Sequence, residues 1–176
     1  MKKKLIVACG ALLLACATLV LAQDPDFSGT WKLNAGKSDF GDMAYGGGSP
    51  GAPPPDVTLI VRKDGNAIVL ETRQPAGTTV RRFTTDGKES TNAGESYKDL
   101  KGSARFGSGK LVVRSEEELK LMRMTSPDDP GSVEYVKSNS QAAYELSADG
   151  KTLTVTQTID TPFGGARTIK KVFDRA

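Results

Sequence analysis

Apolar and polar positions alternate along much of this chain with a period of two. Residues 152–160 show it most cleanly: Leu153, Val155, Gln157 and Ile159 share one side, and Thr152, Thr154, Thr156 and Thr158 the other. That period belongs to a half-buried β-strand, whose successive side chains point to opposite faces. The same rhythm runs through DFSGTWKLN (26–34), with Phe27, Gly29, Trp31 and Leu33 on one side. A helix is disfavoured there, because Gly29 would fall in its first turn. Further strands are predicted in VTLIVRK, AIVLETRQ, TTVRRFTT, GSARF, KLVVRSE, QAAYELS and ARTIKKVFD. ELKLMRM (118–124) has helix-forming residues, yet it is short and sits among strands, so it is read as a strand.

Turn residues separate these runs. Asp64-Gly65, Gly107-Ser108-Gly109 and Asp149-Gly150 supply the positive φ that tight hairpins need. The glutamates 116–118 sit between two strand signals and read as a solvated hairpin turn. SPDDPGS (126–132) is a loop by composition. GDMAYGGGSPGAPPPD (41–56) excludes both a helix and a central strand and reads as a long surface loop. About ten strands result, joined mostly by hairpin-length connections, with no strand–helix–strand unit to make a parallel sheet. Such a meander hides its edges most simply by closing. The expected fold is all-β: an antiparallel up-and-down β-barrel of about eight to ten strands, with room for packed side chains or one small ligand.

The faces then name candidates. In the barrel, Trp31 is expected to cover the floor, and Gly29 to let the chain bend or another strand approach. If the apolar faces point inward, Gln157, Lys171 and Phe173 point inward too, and the two polar groups need each other, water or a ligand. Arg82 is the further candidate for a ligand-binding group, with Arg81 in its place if the opposite face of that strand points in.

The first residues change the charge balance. MKKKLIVACGALLLACATLVLA has a basic start, an apolar run, and small Val20 and Ala22 where a signal peptidase would read them. Residues 1–22 are read as a signal peptide and 23–176 as one domain, periplasmic or secreted. The whole chain has 24 basic and 21 acidic residues; without the three leading lysines the balance is 21 against 21. A nucleic-acid binder would need a basic surplus. Both cysteines, Cys9 and Cys16, lie in the leader, and histidine is absent. This removes thiolate and histidine metal sites, cysteine nucleophiles and histidine triads from the mature domain. The aspartates at 24, 26, 128 and 129 fit no calcium-loop pattern. No metal, cofactor or catalytic residue is expected.

FSGTWKL, at Phe27 to Leu33, resembles the first-strand signature of the calycin superfamily, the lipocalins and fatty-acid-binding proteins. The last strand is similar as well: Lys171, Val172 and Phe173 stand where fatty-acid-binding proteins carry Arg-x-Tyr. The resemblance implies a lipocalin-like barrel, with that position helping to hold a ligand's carboxylate. Lys171 keeps the cation without arginine's planar fork, and Phe173 lacks the hydroxyl. Residues 41–56 replace the two portal helices of the fatty-acid-binding proteins. A third subgroup, the nitrobindin-like haem barrels, uses a histidine that is missing here. The opening and the late LSADGKTLTV also look like secreted bacterial lipocalin-like proteins. Leu13-Leu14-Ala15-Cys16 resembles a lipobox, which would instead anchor the chain by lipid at Cys16.

Two functions remain open from the sequence. The first is a non-enzymatic binding protein for a small hydrophobic ligand. The alternative is an envelope domain with a filled interior and a protein partner.

Overall fold

The computed structural model describes residues 24–41, 56–93, 99–123, 132–161 and 165–176. The expected leader, with Cys16, lies outside them, as does the 41–56 stretch except for its ends, Gly41 and Asp56. The strands are β1 (Gly29–Leu33), β2 (Thr58–Asp64), β3 (Ala67–Gln74), β4 (Gly77–Thr84), β5 (Ser90–Asn92), β6 (Leu100–Gly107), β7 (Lys110–Arg123), β8 (Ser132–Leu146), β9 (Thr152–Thr161) and β10 (Gly165–Arg175). All pair antiparallel in one sheet of ten strands, in the order β4-β3-β2-β1-β10-β9-β8-β7-β6-β5. The two ends of that order, β4 and β5, lie side by side, so the sheet is rolled into a nearly closed barrel.

Side chains stitch this seam. Asn92 on β5 accepts from the Arg82 amide and donates to the Arg82 carbonyl at 3.1 Å. The Ser90 hydroxyl accepts from the Thr84 amide at 3.2 Å. Just past β4, the Gly87 amide reaches the Ala104 carbonyl on β6 at 3.0 Å. Edge groups are thereby satisfied without a full ladder.

The hairpins use their turn residues as the sequence suggests. Gly65 takes φ +60 between β2 and β3. Between β6 and β7, Ser108 and Gly109 both take positive φ, 52 and 74, as a two-residue type I′ turn requires. Inside the sheet, Gly102 has a different reason to be glycine. A Cβ there would come within 2.7 Å of both the Arg114 carbonyl and the Phe83 ring.

Two readings of the sequence are corrected. Glu116, Glu117 and Glu118 are not a turn: they lie mid-strand in β7, opposite Asn139, Ser138 and Lys137. KLVVRSE and ELKLMR, up to Arg123, are therefore one strand of 14 residues. The alternation of Leu111 and Val113 continues in phase through Glu117, and β8 is long enough to pair with the whole of β7. The carboxylate of Glu116 meets Lys137 at 2.8 Å and raises that lysine's pKa. β8 likewise starts at Ser132, so residues 132–140, where the sequence suggests no strand, extend it.

The ladder from β6 ends at Glu116, and the one from β9 at Asn139. Beyond those residues β7 and β8 run on as a two-stranded ribbon, on which Val133 and Tyr135 are exposed.

The core lies inside the roll. Trp31, Phe27, Phe83, Leu100, Leu111 and Leu153 are its largest fully buried side chains. At one end, the floor, the Phe27 and Phe106 rings stack with centroids 6.1 Å apart. Trp31 is fully buried and donates its indole N–H to the Phe27 carbonyl at 3.0 Å. The Arg175 guanidinium lies 4.2 Å from the Trp31 ring centroid, a cation–π arrangement. Gly29 takes φ +146, and a Cβ there would sit 2.8 Å from Arg175 Nη1. The close approach that Gly29 permits is therefore a side chain from the last strand rather than a neighbouring backbone.

The outer wall is polar. Glu71 on β3 is covered by Arg62 and Arg73, at 2.7 and 2.6 Å, which hold its carboxyl below the usual range.

Candidate functional site

Two hollows stand out. A shallow, open one of about 690 Å³ lies mainly against the outer face of β6 to β9 and also reaches Ser115 and Ser140. Among its long side chains Arg114 holds Gln141 at 2.8 Å and Lys101 holds Glu89 at 3.7 Å, and it offers solvent-exposed polar atoms. The second, about 300 Å³, is inside the barrel. Small-molecule sites are typically concave and mainly apolar with a few convergent polar groups. The interior cavity has that character, and it is the candidate site.

Cross-strand register shows how the sequence builds one of its walls. Directly opposed residues of an antiparallel pair share a face, so the ladders order inward side chains into rows. Above the floor-side row of Leu33, Phe173, Leu153 and Leu146, the first row of this wall runs Leu111, Tyr144, Val155, Lys171. The next is Val113, Ala142, Gln157, Ile169. The third holds Ser115, Ser140, Ile159 and Arg167. The facing wall comes from β1 to β4, with Leu33, Leu59, Leu70 and Arg81 among its lining residues. At the mouth, the chain after β1 turns through a short 3₁₀ segment, Ala35–Lys37, capped by Asn34. Asp39 then pairs backbone to backbone with Lys170, which brings Phe40 into the cavity lining.

The expected site residues divide as follows. Lys171 and Gln157 both line the cavity and meet each other, Nζ to Oε1 at 3.4 Å. Phe173 lines it too and is buried. Arg82 is placed elsewhere: it points outward and pairs with Asp64 at 2.9 Å. The inward member of that dipeptide is Arg81. Its phase is set by Phe83, two residues on, which is buried in the core. Tyr144, Ser115 and Ser140 were not singled out from the sequence. The alternation through Leu111, Val113 and Ala142 carries all three inward, so the signal was present. The two serine hydroxyls meet at 2.9 Å on the cavity wall.

Tyr144 is the buried titratable group of this site. Burial pushes its phenol up to about 12, against a weaker opposing effect from the positive charge of Arg81. The folded protein therefore keeps this proton between the ordinary value of 10.0 and about 12, where the unfolded chain releases it. Stability from this group is intact below that window and falls as the pH rises through it, by roughly 2–3 kcal/mol for such a shift. An alkaline absorbance titration should show one of the four tyrosines ionising late, together with unfolding. Tyr144→Phe should remove that step; a late step that persists in the variant would assign it elsewhere.

A nearly closed, ten-stranded antiparallel barrel around an interior cavity is a calycin-like fold, the one that the first strand resembles. Solved structures share it. One described as "REP1-NXSQ fatty acid transporter" matches with a TM-score of 0.55 and 16% identity, over 85% of this chain and 95% of that one. The apo structure of Caenorhabditis elegans lipid binding protein 8 matches with a TM-score of 0.56 and 14% identity, again over 85% and 95% of the two chains. No protein-family model matches the sequence. No curated protein matches it either.

Proposed function

We propose that this barrel binds a small hydrophobic ligand with an anionic head, the head lying at Arg81 and Lys171 and the tail toward Phe40 at the mouth. One observation carries the reading. Arg81 from β4 and Lys171 from β10 come to the same interior cavity from different walls, over an apolar base that includes Leu70 and Phe83. Charge-assisted hydrogen bonds in a site of low dielectric hold an anion more strongly than neutral ones do. Tyr144, protonated across the physiological range, has a hydroxyl to donate. The shared fold of a fatty acid transporter and a lipid binding protein supports a ligand of this class. The cavity's size, at the low end for ligand pockets, favours a medium-length chain.

The protein is read as periplasmic or secreted, on the strength of the basic and apolar leader and the small residues Val20 and Ala22. Mass analysis of protein from a bacterial periplasm should give a chain starting at Gln23; an acylated Cys16 would instead mean lipid anchoring.

The function is tested with the mature chain, stripped of copurified lipid, by calorimetry against decanoic acid and decanol. Decanoic acid is expected to bind at least about tenfold more tightly, the effect of one charge-assisted hydrogen bond. Equal affinities would remove the anionic head from the proposal. No binding of either would favour the filled-interior domain with a protein partner.

A further inference from the structure

The third row of the cavity wall asks for something that a plain acyl chain lacks. Ser115 and Ser140 face the cavity from adjacent strands and are hydrogen-bonded to each other at 2.9 Å. Two hydroxyls have two protons and four lone pairs between them, and one mutual bond uses one of each. The pair can thus still donate one hydrogen bond and accept others, on a wall whose next row down is Val113 and Ala142. A methylene chain laid against it would strip water from the hydroxyls and return no bond.

We infer that the ligand is an oxygenated acid, with an anionic head and a second hydroxyl or carbonyl group farther along its chain, which Ser115 and Ser140 receive. This rests on the anionic-ligand reading above and narrows it. Register gives the spacing. Tyr144 and Ser140 lie on the same face of β8, four residues apart, hence about 13 Å along the strand. The head-group row holds Tyr144 and Lys171, and the hydroxyl row lies on its mouth side, with Gln157 between them. A medium-length acid with its second oxygen near the far end spans that distance. Gln157, already joined to Lys171, puts one polar group in the row between the two anchors.

The test compares decanoic acid with ω-hydroxydecanoic acid on the mature, lipid-stripped chain, and on the Ser115→Ala/Ser140→Ala double variant. The wild type is expected to prefer the hydroxy acid by about tenfold, the discrimination that one buried hydrogen bond gives. The double variant should lose that preference, with its affinity for decanoic acid kept or raised, because the cost of stripping water from the hydroxyls is gone. Equal binding of the two acids by the wild type overturns this inference and leaves the anionic-ligand reading standing. A preference that survives the double variant overturns the assignment to these serines. Binding of neither acid overturns both readings together.

Discussion

Trp31→Ala should lower the stability of the barrel by about 3–5 kcal/mol, the usual cost of removing a large aromatic from a packed core. The side chain is fully buried. Truncation empties the floor beneath Phe27 and leaves the Phe27 carbonyl without the indole N–H that it holds at 3.0 Å. It also takes the ring from under Arg175, whose cation–π contact contributes about 0.5–2 kcal/mol in such settings. For a domain of this size the melting temperature should fall by roughly 10 °C or more. Trp31→Phe separates the parts, since it keeps an aromatic ring for Arg175 and loses the hydrogen bond. It should cost clearly less than alanine. Arg175→Ala should be milder still, because the arginine is largely at the surface and its other partners, the carbonyls of Gly150 and Ser28, face solvent. Thermal and urea unfolding of the three variants give the order. If alanine at 31 cost no more than phenylalanine, the account of the floor would fail.

The architecture was legible in the sequence because a barrel strand carries its instructions locally. Alternation told inside from outside for Leu153, Val155 and Gln157, and the Gly-containing turns marked the hairpins. The expected number of strands agrees with the structure partly through compensating differences. One predicted turn, at Glu116 to Glu118, is uninterrupted β7, while the three-residue β5, Ser90–Asn92, had no periodic signal at all. Three glutamates suit a turn by composition. They suit a long strand equally well when Lys137 stands opposite and meets Glu116. That information lies 21 residues from Glu116 and is not local.

The site shows the same limit. Gln157, Lys171 and Phe173 could be placed on the inward face because their strands keep strict phase. The choice between Arg81 and Arg82 needed the orientation of one strand, and VRRF alone leaves it open until Phe83 is known to be buried. Arg175 was missed because its role depends on a partner at the other end of the chain: Trp31 and Arg175 become neighbours only when β1 pairs with β10. Tyr144 sat in an ordinary strand. What makes it unusual is the burial of its phenol beside a cation, which only the closed barrel creates.

Removing the cavity's two cations should separate binding from folding. Arg81→Gln and Lys171→Gln each delete one charge-assisted donor to an anionic head, and hydrogen bonds to charged groups contribute about 1.5–3 kcal/mol. Each single variant should therefore weaken decanoic acid binding by about tenfold to a hundredfold. The double variant should bring the affinity down to that of decanol, whose own binding should change by less than about threefold. Glutamine retains hydrogen-bonding capacity and much of the side-chain volume, so the fold should survive. Lys171→Gln places an amide opposite Gln157, where the existing contact is 3.4 Å and the partner is neutral. Melting temperatures within a few degrees of the wild type would show that the loss is in binding. Arg82→Gln is the matched control, because that side chain lies outside the barrel on Asp64 and should leave decanoic acid affinity unchanged. The acid-over-decanol ratio is the decisive readout: it cancels the apolar contacts common to both ligands and isolates the head group. A ratio that stayed high in the double variant would place the head elsewhere, whatever happened to the absolute affinities. A ratio that collapsed only for Arg81→Gln would make arginine the anchor and leave Lys171 as the partner of Gln157.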